Sequence, residues 1–398
     1  MSPIDPDKLV RQTATLEEIK EGRVSDIYFE RTLQILKAKG IRKRVRAEFA
    51  AKEFPRGWPW AVFTGLEECL ELFQGLPINV RCMEEGTVFH PFQPVLEIEG
   101  DYADFGVYET AILGYLCQAT GISTKAARCR ILAKERPLIM FGARRIHPTI
   151  APMVERNAYV GGCDGVAAVK SGEIIGKPAS GTTPHTLMLI IGDTVTAMKA
   201  FDEVIEPGAR RVALIDTFAD EKFEAIRVAE ALGGRLAAVR LDTPSSRRGD
   251  FIQILQEVRW ELDLRGHQKV QLFVSGGLDE GAIADLYPFV DGYGVGTCIS
   301  SAPAMDFSMD LVEIDGEPIA KRGKASGAKT VLRTPETLED EVVPLSDVSR
   351  RQAGGQAEDL LTPFIENGRL ARPIYTVQEI RDRVLAQLKR IPAFEPGH

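Results

Sequence analysis

The sequence has few cysteines, and their spacing fits neither a disulfide framework nor a zinc site. The chain of 398 residues carries six, which lie far apart and never form a Cys-x-x-Cys pair: Cys69, Cys82, Cys117, Cys129, Cys163 and Cys298. Secreted disulfide scaffolds and zinc ribbons both need closely spaced pairs. We therefore expect reduced, mostly buried thiols of an intracellular protein.

The sequence also lacks a long apolar run and an excess of positive charge. Asp193 interrupts the longest hydrophobic stretch, so no segment approaches the roughly 20 apolar residues that cross a bilayer. Residues 1–15 are polar and lack the apolar core of a signal peptide. The net charge of −8 disfavours a nucleic-acid surface. These absences predict a cytoplasmic protein that binds neither membranes nor nucleic acid.

Composition and turn signals divide the chain into three parts. Residues 1–108 combine short strand-like pieces with helices, which predicts a compact α+β domain on a small sheet. Residues 109–300 show the regular strand–helix alternation of an α/β barrel, and residues 301–398 break that alternation. We expect this last part to pack back on the first, so that both segments form one sandwich-like domain.

Local patterns add detail to the first part and to the start of the barrel. Ser25 or Asp26 can cap a helix that runs to Lys39. Residues 42–49 alternate basic with apolar side chains, which predicts an exposed strand. Residues 109–136 have the apolar spacing of one long helix.

The barrel prediction rests on short apolar segments separated by helices. Buried β-branched strands that alternate with helices are typical of parallel βα units. About seven strands in ~160 residues fit a short, irregular relative of the eight-stranded barrel. The predicted strands are Pro137–Phe141, Val166–Val169, Lys177–Ser180, Val212–Ile215, Leu236–Leu241, Val270–Val274 and Gly292–Val295. The predicted helices lie near 149–160, 185–203, 220–232, 249–263 and 279–287.

The segment Ser180-Gly181-Thr182-Thr183-Pro184-His185 leads into one of these helices. Thr182 or Thr183 can cap the helix, and Pro184 suits its first turn. His185 then lies where free N–H groups and the helix dipole favour a negative partner. A histidine there can receive and hold a phosphoryl group. The alternative is a histidine that only helps to close a turn.

Two glycine-rich loops follow the last two predicted strands. Working residues in such barrels lie on the loops after the strands. Ser275-Gly276-Gly277 and Gly294-Val295-Gly296-Thr297 occupy that position, and their backbone N–H groups can wrap a phosphate. Tight turns with nothing bound are the alternative. The sequence has no Gly-x-x-x-x-Gly-Lys-Ser/Thr motif, so a nucleotide is not expected in a Walker-type loop.

Charged and aromatic residues follow the other predicted strands. Asp216 and Asp242 can bind ribose hydroxyls, orient an imidazole, or hold Mg²⁺ through water. Arg144 and Arg240 can each pair with a carboxylate or a phosphate in a bidentate way. Phe141 offers an aromatic face to a flat ring, with core packing at the strand end as an equal alternative. Together these residues predict a site for a phosphorylated sugar and a planar acid.

At these residues the chain resembles the nicotinate phosphoribosyltransferase family, which shares its fold with nicotinamide and quinolinate phosphoribosyltransferases. The resemblance runs through most of the chain in family order. It is carried by Ser25-Asp26-Ile27-Tyr28, Phe141-Gly142-Ala143-Arg144-Arg145, the loop before His185, Asp216-Thr217, Arg240-Leu241-Asp242-Thr243, Ser275-Gly276-Gly277 and Gly294-Val295-Gly296-Thr297.

The resemblance implies an enzyme of NAD salvage that converts nicotinate and phosphoribosyl pyrophosphate into nicotinate mononucleotide and pyrophosphate. ATP would phosphorylate His185, Asp216 would hold the other ring nitrogen, and Mg²⁺ would accompany phosphoribosyl pyrophosphate and ATP. A homodimer or higher oligomer would share active sites, with Tyr28 reaching the neighbouring subunit, and no zinc is expected. The implied substrate-binding residues are Tyr28, Phe141, Arg144, Asp164, Thr182, Arg240, Asp242, Ser275, Gly276, Gly277, Gly296, Thr297 and Lys321.

Asp164 departs from the nicotinate pattern. Relatives that use nicotinamide carry an aspartate at this position, and a carboxylate here repels nicotinate unless it is turned away or paired with Arg144. Nicotinamide is therefore the close alternative substrate. Two further alternatives are another phosphate-binding barrel enzyme, such as an isomerase or a flavin protein, and a catalytically inactive ligand sensor.

Overall fold

The computed structural model of the chain describes residues 12–334, 337–349, 357–392 and 394. The chain forms two compact units, Met1–Gly121 with Pro303–Arg390 and Ile122–Ala302 with Ile391–His398. The sequence placed the boundaries at residues 108 and 300. The first division falls later than predicted because it lies inside one long helix. The outer ends of the predicted domains, at residues 1–11 and 395–398, lie outside the described residues.

Helices and strands are distributed along the whole described chain. The helices are α1 (Leu16–Lys20), α2 (Ile27–Ala38), α3 (Leu66–Phe73), α4 (Tyr102–Phe105), α5 (Glu109–Ala133), α6 (Ala151–Val160), α7 (Val169–Ile175), α8 (His185–Ile191), α9 (Thr194–Val204), α10 (Glu221–Leu232), α11 (Ser245–Arg248), α12 (Phe251–Leu264), α13 (Glu280–Leu286), α14 (Thr297–Ser300) and α15 (Val377–Leu388). The strands are β1 (Arg44–Ala51), β2 (Ala61–Val62), β3 (Asn79–Cys82), β4 (Val88–Phe89), β5 (Pro94–Asp101), β6 (Leu138–Met140), β7 (Val212–Leu214), β8 (Ala238–Leu241), β9 (Gln271–Ser275), β10 (Gly292–Val295), β11 (Phe307–Ile314), β12 (Glu317–Pro318), β13 (Lys329–Thr334), β14 (Glu339–Pro344), β15 (Glu358–Asp359), β16 (Thr362–Glu366) and β17 (Arg369–Leu370). Within the described ranges, no helix combines the length and apolarity that a membrane span requires.

The first unit is built on a seven-stranded sheet in the order β12-β11-β1-β5-β3-β16-β17. β11 pairs antiparallel with β1, and β16 pairs antiparallel with β3, so strands from both ends of the chain share this sheet. Leu70 of α3 and Leu116 of α5 join Phe49 of β1 in one buried core. A three-stranded sheet, β14-β13-β15, and the pair β2-β4 complete the described strands of the unit.

Strand β1 lies in the middle of the large sheet, and the prediction of an exposed strand here is wrong. Val45 and Phe49 face the buried core. On the other face, Arg46 Nη1 lies 2.6 Å from Glu97 Oε1, and Arg46 Nε lies 2.9 Å from Glu313 Oε2. Glutamates on the strands to either side therefore let a basic strand occupy a central position.

The second unit contains a parallel sheet in the order β6-β10-β9-β8-β7. Five of the predicted strands are present, and the strands predicted at Val166–Val169 and Lys177–Ser180 are not. The first of these segments leads directly into α7. The N–H groups of Ala167 and Ala168 do not join a ladder, because the buried Glu155 carboxylate accepts from them at 3.1 Å and 2.9 Å.

The helices predicted between these strands are present, and one of them is split. The stretch predicted as a helix at 185–203 forms α8 and α9. α8 ends at Gly192, which has φ of 90°, a left-handed conformation that favours glycine. Asp193 then caps α9 by accepting from Thr196 N at 2.8 Å. The break leaves α8 as a short separate helix that carries His185 at its start.

Glu109, at the start of α5 in the first unit, should make the stability of the protein depend on pH. Burial, and then the nearby Asp310 carboxylate, raise the pKa of Glu109 to about 7, while Lys321 opposes the shift. The folded state therefore holds a proton that the unfolded state releases, and the stabilisation is lost as pH rises through 7. Wild type should lose about 2 kcal/mol relative to Glu109→Gln between pH 4.5 and 8, allowing for solvent screening.

Thermal unfolding of both proteins at pH 5 and pH 8 measures this difference. The variant's advantage in Tm should grow at the higher pH. A difference in Tm that is the same at both pH values would show that Glu109 titrates normally.

Candidate active site

Four polar or aromatic residues and one glycine collect where the parallel strands of the second unit end. Phe141 follows β6, Asp216 lies two residues beyond β7, Asp242 follows β8, Ser275 ends β9 and Gly296 follows β10. Since all five strands are parallel neighbours in one sheet, their carboxyl ends meet at one edge. These residues, which are widely spaced along the sequence, therefore form a single compact site.

His185 is the first residue of α8 and points to the same edge. Its Nδ1 lies 3.0 Å from Thr217 Oγ1. Its Nε2 lies 3.8 Å from Asp242 Oδ2 and 4.0 Å from Asp216 Oδ1. Asp216 was expected to hold a ring nitrogen, but these distances exceed a hydrogen bond and the ring contact is made by Thr217. The motif Asp216-Thr217 was the available signal, and sequence reasoning selected only its aspartate.

Thr183 holds the loop before His185 against the sheet. The sequence predicted that Thr182 or Thr183 caps the helix, but the residue at the cap position is Pro184 and no side chain caps α8. Thr183 is buried, and its Oγ1 donates to Val212 O at 3.1 Å and accepts from Leu214 N at 3.2 Å. The hydroxyl thus continues the edge of β7. Thr182 is half-buried beside it.

Asp216 is the most buried carboxylate of the site, with 2% of its side chain exposed. Its Oδ2 accepts from Asp242 N at 3.2 Å, and its Oδ1 has no hydrogen-bond partner among the described residues. Burial raises the pKa of Asp216, and a charged His185 would oppose that shift. A buried oxygen of this kind is a ready acceptor for a ligand or a cation.

Asp242 is oriented by the end of the next strand. Ser275 Oγ donates to Asp242 Oδ1 at 2.8 Å. The other oxygen, Oδ2, is the one that faces the His185 ring. The two aspartates therefore present one oxygen each toward the same space.

Phe141 and Arg240 form a flat, cationic corner. The Arg240 guanidinium carbon lies 5.7 Å from the centre of the Phe141 ring. Burial lowers the pKa of Arg240, while Asp242 and Asp216 oppose the shift. Its Nη2 donates weakly to Thr183 O at 3.4 Å, and its Nε has no partner in the part of the chain that the structure describes. Arg144 lies on the exposed turn after Phe141.

The two glycine loops lie at the ends of β9 and β10. Gly276 and Gly277 are exposed and have φ of 85° and 68°, so both occupy the left-handed region that disfavours other residues. Gly296 precedes α14, and Thr297, the first residue of that helix, is exposed. Consecutive backbone N–H groups in such turns form concave anion sites.

Asp164 lies away from this edge. Its N–H donates to Leu138 O at 2.7 Å, and its Oδ2 accepts from Leu138 N at 2.9 Å, at the amino end of β6. Arg130 Nη2 also binds that oxygen. The expectation that Asp164 contacts the substrate is therefore not supported by its position, because its carboxylate closes the beginning of a strand while the other residues follow strand ends.

Tyr28 and Lys321 belong to the first unit, so their predicted contacts with substrate stay predictions. Tyr28 lies on α2 with 57% of its surface exposed. Lys321 Nζ lies 2.5 Å from Asp310 Oδ1.

Comparisons with known proteins agree with this architecture. A family model described as quinolinate phosphoribosyl transferase, N-terminal domain, matches residues 26–120, and its C-terminal domain counterpart matches residues 122–310. Nicotinate phosphoribosyltransferase pncB2 of Mycobacterium tuberculosis is 32% identical over 328 residues, which cover 79% of this chain and 69% of that protein.

Solved structures of phosphoribosyltransferases also match this chain. The crystal structure of nicotinate-nucleotide pyrophosphorylase from Pyrococcus furiosus is 51% identical, with a TM-score of 0.91 over 96% of this chain and 98% of that one. Human nicotinic acid phosphoribosyltransferase shares the fold at 19% identity, with a TM-score of 0.69 over 92% of this chain and 94% of that one. The chain belongs to the quinolinate phosphoribosyl transferase family of phosphoribosyltransferases.

Proposed function

We propose that this protein is a cytoplasmic nicotinate phosphoribosyltransferase that couples the transfer to ATP hydrolysis through phosphorylation of His185. The observation that carries the proposal is the distance of His185 Nε2 from two carboxylates, 3.8 Å to Asp242 and 4.0 Å to Asp216, at the edge that bears the glycine loops. Thr217 occupies Nδ1, which leaves Nε2 to attack the γ-phosphorus of ATP and release ADP. Water then hydrolyses the phosphohistidine to inorganic phosphate.

In this proposal the pyridine ring lies on Phe141, and its carboxylate pairs with Arg240 and Arg144. A guanidinium that burial has partly stripped of water binds a carboxylate strongly. Tyr28 of the partner subunit covers the second face of the ring in a homodimer. The 5′-phosphate of the sugar binds the two glycine loops.

Mg²⁺ fits the oxygen donors of Asp216 and Asp242. The unpartnered Asp216 Oδ1 is the specific reason, since Mg²⁺ is commonly held by one or two carboxylates together with phosphate oxygens and water. When bound, Mg²⁺ supplies charge neutralisation to the leaving diphosphate.

The protein side chains act on the sugar and on the histidine. As the bond from C1 to the diphosphate breaks, positive charge develops on the ribose, and the Asp216 and Asp242 carboxylates stabilise it while the pyridine nitrogen attacks C1. A phosphoryl group on His185 would lie within a few ångströms of the same carboxylates. The resulting repulsion shifts the conformational equilibrium of the loop before α8. This shift couples ATP hydrolysis to the transfer.

The closed irregular barrel also belongs to the proposal. β6 and β7 are the outer strands of the five-stranded sheet. Extended segments lie between them: Met140 N donates to Gly165 O at 3.0 Å, and Ser180 N donates to Val166 O at 2.7 Å. In the loop before His185, Thr183 Oγ1 then donates to Val212 O of β7 at 3.1 Å. These contacts supply the path along which the barrel closes.

Gly294→Ala tests the base site. A Cβ at this position would fall 2.3 Å from two ring atoms of Phe141, so the ring must move. We expect the KM for nicotinate to rise about tenfold, at a stability cost of about 1–3 kcal/mol. Gly208→Ala is the control, because a Cβ there meets nothing within 4 Å. An unchanged KM in Gly294→Ala would remove Phe141 from the base site.

Quinolinate is the second candidate substrate, because the matching family models carry that name. Nicotinamide is disfavoured, because Arg130 and the Leu138 N–H hold the Asp164 carboxylate that would accept from its amide. Quinolinate differs from nicotinate by a second carboxylate, and its conversion to the same mononucleotide releases CO2.

One competition assay distinguishes the bases. The protein is incubated with phosphoribosyl pyrophosphate, Mg²⁺ and ATP together with equal amounts of three bases. Nicotinate is ring-deuterated, whereas nicotinamide and quinolinate are unlabelled, and the products are identified by mass. We expect deuterated nicotinate mononucleotide, pyrophosphate and ADP. Unlabelled nicotinate mononucleotide with CO2 would establish quinolinate instead, and no mononucleotide of any mass would contradict the proposal.

A further inference from the structure

Three charged side chains are buried together behind the loop that contains Gly276 and Gly277. Arg128 of α5 binds Glu280 with two parallel contacts, Nε to Oε1 at 3.0 Å and Nη2 to Oε2 at 2.9 Å. Lys125, one turn earlier on α5, also binds Glu280 Oε1. All three side chains are nearly inaccessible to solvent. None of them has a role in the proposed reaction.

The group is positioned to control the loop. Glu280 is the first residue of α13 and follows Gly277 by three residues. Asp279 caps the same helix by accepting from Ala282 N at 2.9 Å, and Leu278 is buried. The start of α13 is therefore fastened to α5, and only residues 276–279, which include the two left-handed glycines, lie between Glu280 and the end of β9 at Ser275.

The same face of α5 also reaches the second glycine loop. Cys298 of α14 packs against the buried core cluster that contains Cys129 of α5, and the Cys129 thiol, more than any other group, lowers the pKa of Cys298. Cys298 follows Thr297 directly. Lys125, Arg128 and Cys129 thus form one surface, which we call the α5 support, behind both loops.

A buried ion group of this kind is weak evidence for stability, because desolvation offsets much of the attraction between the charges. The ion group does fix the position of Glu280, since the planar guanidinium of Arg128 binds both of its carboxylate oxygens. Glycine adopts many backbone conformations readily, so the Gly276-Gly277 turn depends on the residues that anchor its two ends for a fixed geometry.

We propose that the α5 support positions both glycine loops and so sets the affinity of the site for the phosphate end of phosphoribosyl pyrophosphate; this rests on the proposed function. Lys125, Arg128 and Glu280 act through the loops, as positioning residues. Loosening them displaces the phosphate-binding N–H groups and leaves the pyridine corner at Phe141 and Arg240 in place.

Arg128→Lys and Glu280→Gln test the inference, with steady-state kinetics and calorimetric binding of inorganic phosphate. Both variants should raise the KM for phosphoribosyl pyrophosphate and the Kd for phosphate about tenfold, with kcat and the KM for nicotinate within about twofold of wild type. Arg211→Lys is the matched control: Arg211 is also buried, and its Nε binds Asp202 Oδ1 at 2.8 Å. It should lower Tm without changing phosphate affinity.

Lys125→Met serves if the other two variants fail to fold, and the same selective rise in KM is expected. Equal changes in kcat and in both KM values, or an equal loss of phosphate affinity in Arg211→Lys, would overturn the inference. Wild type that binds phosphate but transfers no base would contradict the proposed function and leave the phosphate measurement as the test of the support.

Discussion

Asp216→Asn is expected to lower kcat/KM for phosphoribosyl transfer on the order of 10²- to 10³-fold, because it removes a fixed charge that faces the developing positive charge on the ribose. The same change should leave Tm unchanged or raise it. Burial raises the pKa of Asp216, so the folded protein disfavours the charged form that the unfolded protein adopts at neutral pH. A neutral amide of the same shape avoids that cost.

Asp202→Asn is the matched control for this prediction. Asp202 is also a largely buried carboxylate of the second unit, but it binds Arg211 and Arg235 rather than facing the site. Its loss leaves two guanidinium groups without their carboxylate and should lower Tm with little change in kcat/KM. An Asp216→Asn protein that keeps wild-type kcat/KM would remove Asp216 from the reaction.

His185→Gln should abolish ATP hydrolysis and the transfer of label from γ-³²P-ATP to the protein, while transfer without ATP continues. The loss of the ATPase is expected to reach on the order of 10³-fold, because glutamine offers no nucleophilic nitrogen. Mononucleotide formation in the presence of ATP should then fall to the rate measured without it. The label in wild type should be labile to acid and stable to alkali, as a phosphohistidine is.

His147→Gln is the control, because His147 is an exposed histidine in the loop region that follows β6 and has no assigned role. It should keep both the label and the ATPase. Label that persists in His185→Gln, or that disappears equally in both variants, would contradict phosphorylation at His185.

Much of the second unit could be predicted from its sequence, since its local signals and its tertiary packing agree. Short apolar segments between helices gave five parallel strands, and the order of a parallel sheet brings their carboxyl ends to one edge. For this reason Phe141, Asp216, Arg240, Asp242 and Ser275, chosen for their position at or just after the ends of predicted strands, lie together in the structure.

The predictions were wrong where a side chain binds backbone groups that lie far away along the chain. Thr182 or Thr183 was expected to cap α8, but Thr183 binds the edge of β7 and no side chain caps the helix. Glu155 binds the N–H groups of Ala167 and Ala168 in a segment predicted as a strand. Asp164 was expected at the base but closes the start of β6. Each partner lies 12 or more residues away along the chain, so local pattern alone could not identify it.

The prediction of an exposed strand at β1, in the first unit, was wrong for the same reason. Its alternating arginines are typical of an exposed strand. Acidic residues of β5 and β11 pair with Arg46, and these ion pairs allow the strand to lie between two neighbours. Those strands come from distant parts of the chain, and their pairing was not predictable from the charges of residues 42–49.

The most direct measurement is a crystal structure of the protein with nicotinate and phosphoribosyl pyrophosphate bound. We expect the pyridine ring on Phe141 with its carboxylate at Arg240, and C1 of the ribose facing Asp216 and Asp242. The 5′-phosphate should bind the N–H groups of Gly276, Gly277 and Gly296. A phosphate bound far from the glycine loops, or a base bound away from Phe141, would contradict this expectation.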